Sequence, residues 1–192
     1  MPTIVNLNGT AGGVTSESRV MVEEVWRDMA ASSAQKGWAF ACADNAVTPA
    51  VGGNNVFCRI GNTSGSDLVI TRIEAQCAAA EVISVQTSVA YTSATAFADK
   101  VAQNRTGSAN LFTTKGLFQS DVDITGDAVT VANQLFEMNL IAADTLYVQD
   151  LAFGNEIVLP TGHSLLLEAV TTASAVAYVV HCHFVMDART DD

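Results

Sequence analysis

Asn155-Glu-Ile-Val-Leu-Pro-Thr-Gly-His-Ser-Leu-Leu-Leu-Glu-Ala-Val170, followed beyond Thr171–Ser174 by Val176-Ala-Tyr-Val-Val-His-Cys-His-Phe-Val-Met186, decides the fold class of this 192-residue chain. The first part reads as a short strand over Ile157–Leu159, a turn at Pro160-Thr-Gly162, and a strand over Ser164–Val170. Proline cannot donate to a strand ladder and glycine tolerates a left-handed backbone, so the pair marks the turn. The second part alternates with period two: Val176, Tyr178, Val180, Cys182, Phe184 and Met186 share one face, which belongs in a core. The opposite face carries Ala177, Val179, His181, His183 and Val185. It is too apolar to be simply solvated, so the pattern predicts that a helix or another subunit covers it.

Working outward, the same alternation recurs in Trp38, Phe40, Cys42 and in Val56, Cys58, Ile60. The dense turn signal Gly61-Asn-Thr-Ser-Gly-Ser-Asp67 separates Val56–Ile60 from Leu68–Cys77, and the two segments are expected to form an antiparallel hairpin. Strict alternation in the second segment puts Val69, Thr71, Ile73 and Ala75 on one face and Leu68, Ile70, Arg72, Glu74 and Gln76 on a solvated one. Ile83 to Tyr91 is a further strand. Residues 92–110 read as a long connection with a helical turn near Ala96–Gln103, and shorter strands are expected at Leu111–Phe118, Ala128–Ala132, Leu135–Leu140 and Leu146–Phe153. Many short strands with turn signals between them predict a mainly β fold, an antiparallel β-sandwich of jelly-roll type.

Two segments precede the sandwich. Residues 1–15 are rich in Gly, Asn and Thr and lack periodicity, which predicts an extended N-terminal arm whose Ile4, Val5 and Leu7 can tie onto a neighbour. From Ser16 the spacing of Val22, Val25, Trp26 and Met29 fits one helix face, with Ser16 as cap and Glu17 in the first turn. The expected division is an arm over 1–15, a helix packing on the sandwich within 16–36, and the sandwich over 37–192.

Apolar residues make up 49% of the chain and charged residues 15%, a balance suited to extensive burial. The 20 acids against 9 bases give a net charge of −11, and the bases stand singly, so a phosphate backbone or an anionic membrane surface finds no cluster of cations to bind. No run approaches the roughly 18 apolar residues that span a bilayer, and residues 1–15 lack the features of a signal peptide. Folding in the cytoplasm without export is expected. Cys42, Cys58, Cys77 and Cys182 are widely spaced within apolar runs, the pattern of reduced core thiols.

Nothing points to catalysis: there is no Gly-x-Ser-x-Gly elbow, no phosphate loop and no dinucleotide fingerprint. His181 and His183, two apart on a strand, project to one side and are the weak metal candidates together with His163. Pro160-Thr-Gly-His163 beside His181-Cys-His183 resembles pieces of the cupin signature, which would imply a metal-dependent enzyme. The order is reversed here, and Phe184-Val-Met186 stands where the acidic ligand would follow. No cofactor and no catalytic residue is assigned. A third reading is a fibre- or baseplate-type module that binds a receptor or glycan through Trp38, Tyr91 or Tyr147.

Val56-Phe-Cys-Arg-Ile-Gly-Asn-Thr-Ser-Gly-Ser-Asp-Leu-Val-Ile-Thr-Arg-Ile73 and Ile157-Val-Leu-Pro-Thr-Gly-His-Ser-Leu-Leu-Leu-Glu-Ala169 resemble the β-sandwich structural proteins of tailed-bacteriophage particles, particularly capsid decoration (cement) proteins. The resemblance implies a non-enzymatic virion protein that folds in host cytoplasm, assembles as a homo-oligomer, with a trimer favoured, and binds the major capsid protein on the outside of a phage head. The interface candidates are Ile4, Val5, Leu7, Val179, His181, His183 and Val185.

Overall fold

Alternating apolar side chains between turn-forming segments build strands throughout the computed structural model, which describes residues 4–5, 11–12, 37–49, 55–89, 99–121, 131–151, 154–171 and 174–185. In chain order the strands are β1 (Ile4–Val5), β2 (Ala11–Gly12), β3 (Ala39–Val47), β4 (Asn55–Asn62), β5 (Leu68–Cys77), β6 (Glu81–Val89) and β7 (Gln103–Asn104). They continue with β8 (Gly116–Ser120), β9 (Val131–Leu140), β10 (Tyr147–Asp150), β11 (Ile157–Leu159), β12 (His163–Ala169) and β13 (Val176–Phe184). Among the described residues the only helical element is the short 3-10 turn Phe112–Thr114. The helix expected within 16–36 lies outside them.

Two antiparallel sheets form a sandwich. The first runs β10–β5–β13–β3–β7, with β11 continuing the β10 edge along β5; the second runs β8–β4–β12–β6–β9. The pairing is nested. The first long strand, β3, pairs with the last, β13; β4 pairs with β12, β5 with β10 and β11, and β6 with β9. A separate short ladder joins β1 to β2, matching Ile4 to Gly12 and Val5 to Ala11, so the described part of the arm pairs with itself.

This arrangement corrects the expected hairpin. β4 belongs to the second sheet and β5 to the first, so the turn between them crosses the sandwich. Asn62 holds that crossing: its amide donates to the Ser66 and Leu159 carbonyls at 2.7 and 2.8 Å, and its side-chain oxygen accepts from the Ser64 N–H at 3.0 Å. The Gly162 N–H donates to the Asn62 carbonyl at 2.8 Å, which ties the Pro160–Gly162 turn to the same corner. Gly162 has φ of 81°, the left-handed conformation its sequence position predicted. Strands β11 and β12 flank that turn yet lie in different sheets, for the same reason as β4 and β5: each finds its partners elsewhere.

Other expected elements shift in detail. The segment Leu111–Phe118 divides into the 3-10 turn and β8, while Ala128–Ala132 and Leu135–Leu140 merge into β9 within its described residues. The helical turn near Ala96–Gln103 is absent from its described part: Asp99 forms an isolated bridge with Gln119, and Gln103 begins β7.

One core fills the space between the sheets, drawing on both. At one end Phe40, Phe112 and Phe184 stack with centroids 5.3 to 6.3 Å apart, and Trp38 packs on Phe184 at 6.2 Å. Further along, Phe57 of the second sheet meets Tyr178 of the first at 5.5 Å. Full burial of each Leu, Ile or Phe here contributes roughly 1.5–3 kcal/mol. Cys42, Cys58, Cys77 and Cys182 are free and buried.

Candidate functional site

β13 carries the site because it lies between β5 and β3, so its outer side chains have neighbours on both sides. The burial of β13 alternates without interruption: Val176, Tyr178, Val180, Cys182 and Phe184 are buried, while Ala177, Val179, His181 and His183 are half-buried on the outer face. Val185, just past the strand, is half-buried as well.

Register places three cross-strand rows on that face. In one, Val148 of β10, Glu74 of β5, Val179 of β13 and Ala43 of β3 lie side by side. In the next, Asp150, Arg72, His181, Ala41 and Gln103 follow one another across five strands. The third aligns Val158, Val69, His183 and Ala39. Alanine on β3 and valine elsewhere keep the two flanking rows low and largely apolar, with Glu74 of the first row reaching toward the polar side chains of the middle one.

Arg72, Glu74 and His181 form the polar centre, in which Arg72 and Glu74 carry the charge. Arg72 Nε lies 2.9 Å from Glu74 Oε1, and His181 Nε2 lies 3.2 Å from the same oxygen. The His181 side chain is 17% exposed and that of Arg72 44%, so the carboxylate is shared between a sheltered and an open partner. Burial pushes the His181 pKa below its ordinary value and Arg105 adds to this, whereas the bond to Glu74 opposes it. His183 is also lowered, again chiefly by burial, with Glu156 opposing. Both imidazoles are therefore neutral at pH 7. With His181 Nε2 turned to a carboxylate, its proton belongs on that nitrogen, and Nδ1 is buried with no hydrogen-bond partner among the described residues.

Arg72 and Glu74 were expected on a solvated face together with Leu68 and Ile70, and the structure corrects this. The β5–β13 register shifts between His181 and Cys182, which leaves Thr71 as the extra residue of a β-bulge. The phase of alternation reverses there, so Ile70, Ile73 and Ala75 face the core while Arg72 and Glu74 look outward, and Val69, level with His183, is buried on the outer side. No residue type in β5 announces the bulge.

His163 does not join the other two histidines. It opens β12 in the second sheet, opposite Val89, and its Nδ1 lies 3.3 Å from the Thr161 carbonyl oxygen. Among the described residues no group of three or more His, Cys, Asp or Glu side chains is placed to hold a metal ion. The thiols are poor nucleophiles: burial pushes Cys58 up to about 12 and Cys77 up to about 11.

The expected aromatic platform is likewise dispersed. Trp38 packs beside Phe184 at one end of the first sheet, whereas Tyr147 pairs with Ala75 near the other; both are partly buried against the core, and Tyr91 lies outside the described residues. Of the expected interface residues, Val179, His181, His183 and Val185 share the outer face, Ile4 and Val5 belong to β1, and Leu7 lies outside the described residues. What the face can do is associate: it offers small apolar rows, neutral imidazoles and the Arg72–Glu74 ion pair to a complementary surface. No protein-family model, no curated protein and no solved structure matches the chain, so the reading of this face rests on its own chemistry.

Proposed function

We propose that the chain is a non-enzymatic structural protein of a phage particle, a decoration protein of jelly-roll type that binds the outer surface of the head through the outer face of its first sheet. Support for the jelly-roll reading comes from the nested pairing of β3 with β13, β4 with β12, β5 with β10 and β11, and β6 with β9, the order produced when a four-strand-long hairpin is wound into two sheets. The observation that carries the functional reading is the half-buried Ala/Val face around Arg72, Glu74 and His181. An apolar surface with one central polar cluster suits a partner surface better than a small substrate. The net charge of −11 and scattered bases accord with a partner other than packaged nucleic acid.

The protein then assembles as a homo-oligomer, with a trimer favoured, on the major capsid protein. The test is light scattering after size exclusion, joined to co-sedimentation with undecorated heads, for the wild type and for Val179→Glu. Burying a glutamate in an apolar contact is strongly unfavourable. The variant is expected to lose particle binding, and Val179→Ser, which sets no second carboxylate beside Glu74, to weaken it while keeping the wild-type thermal midpoint. A monomeric wild type that ignores capsids removes the proposal.

A further inference from the structure

A groove of about 780 Å³ opens on the flank of the sandwich, adjoining the face just described only at Val158. One wall is β9, the terminal strand of the second sheet, and the other is formed by β10, β11 and, between them in the chain, Leu151, Asn155 and Glu156, at the terminal edge of the first. Among the described residues both walls thus belong to strands bonded to a neighbour on one side only, and such edges carry a row of backbone donors and acceptors for an added strand. The floor is apolar, from Leu135, Phe136, Leu151, Ile157 and Val158. Leu135 and Val158, 43% and 51% exposed, leave part of this floor open to solvent.

Leu135 is there because of a bulge. In the β6–β9 ladder Val85 pairs with Phe136 and Gln86 with Gln134, so Leu135 is the extra residue and its side chain is re-aimed into the groove. The rim is polar: Thr87, Gln149 and Asn155 supply hydrogen-bonding groups, and the ionisable residues lining the groove are Glu137 and Glu156. Gln134 donates to Glu137 Oε1 at 2.9 Å, and the Gly154 N–H donates to Glu156 Oε2 at 2.8 Å, which fixes where the two negative charges sit.

We infer that this groove docks an extended, cationic segment of a partner polypeptide, laid along the β9 edge with alternate apolar side chains on the floor and lysine or arginine at the rim. Strand addition provides backbone bonds to β9, and the period of two sends every second side chain inward. The occupant is basic because both rim charges are carboxylates; a second copy of a chain with net charge −11 is the wrong complement. A glycan is disfavoured because the lining ring, Phe136, is itself partly buried on the core and presents no open stacking face. This inference is independent of the capsid reading.

The probe is the acetylated, amidated octapeptide (Lys-Val)4, with (Glu-Val)4 as its counterpart, titrated into the full chain by calorimetry, with amide exchange recorded along β9. The lysine peptide is expected to bind, the glutamate peptide is not, and exchange at 133–139 slows on binding. Glu137→Gln with Glu156→Gln weakens binding about tenfold, since both exposed rim pairs are lost together. Leu135→Ser weakens it through the floor. The double change Asp67→Asn with Asp144→Asn, which removes the same net charge elsewhere, leaves binding unchanged. Equal weakening by both double variants reduces the attraction to bulk charge and overturns the inference. So does β9 protection that rises with protein concentration without peptide, because a second copy is then the occupant.

Discussion

At the residue scale the two outer histidines give a measurable signature. Their pKa values are lowered in the folded chain, so the unfolded chain binds protons more readily just below the ordinary histidine value near 6.5. The stability they contribute is complete above that value and is lost as the pH falls through the folded values. Glu168 acts in the opposite sense: burial raises its carboxyl above 4.5 against the bond from Gln86, so acidification through that window favours folding. His183→Gln is therefore expected to flatten the fall in thermal midpoint between pH 7 and 5, read as the difference from wild type. A second residue-scale test is Phe184→Ala. This ring is fully buried among Trp38, Phe40 and Phe112, and its loss is expected to cost about 3–5 kcal/mol in denaturant unfolding.

At the element scale the middle strands β12 and β13 hold the sandwich, since each is bonded on both sides. Val180→Pro removes a ladder donor in the centre of the first sheet and is expected to abolish the β signal in circular dichroism, a loss of ~3 kcal/mol or more. The approach to β3 is equally constrained. Gly37 has φ of 76°, and its carbonyl accepts from the Asn104 amide at 2.8 Å. A Cβ at this position would stand 2.3 Å from Ser108 Cβ. Gly37→Ala is expected to lower stability by at least ~1–3 kcal/mol in the same unfolding assay, because left-handed strain and a clash act together. Element positions were mostly legible from periodicity, as β6, β10 and β13 illustrate. The phase of β5 was not, because the extra residue at Thr71 is chosen by the β13 ladder rather than by local sequence.

At the scale of the whole molecule, removal of residues 1–15 is expected to weaken particle association without changing the thermal midpoint of the sandwich, measured by co-sedimentation and calorimetry in parallel. An unchanged association would separate the arm from the function proposed for the sheet face. The candidate face itself was half legible. Val179, His181 and His183 could be assigned to one outer side because alternation in β13 is unbroken, but Arg72, Glu74 and Val158 join them only through pairing with strands more than twenty residues away. The sequence by itself determined a β-rich chain, a buried face on β13, the Pro160–Gly162 turn and a charge balance unsuited to nucleic acid. Those follow from local alternation, backbone chemistry and simple counting, none of which needs a partner strand. Only the tertiary structure decided that successive strands cross between sheets, that His163 stands apart from His181 and His183, and that two edges enclose an acidic-rimmed groove. These depend on which strand each backbone bonds to, and hydrogen bonds between distant segments leave no mark on either segment alone.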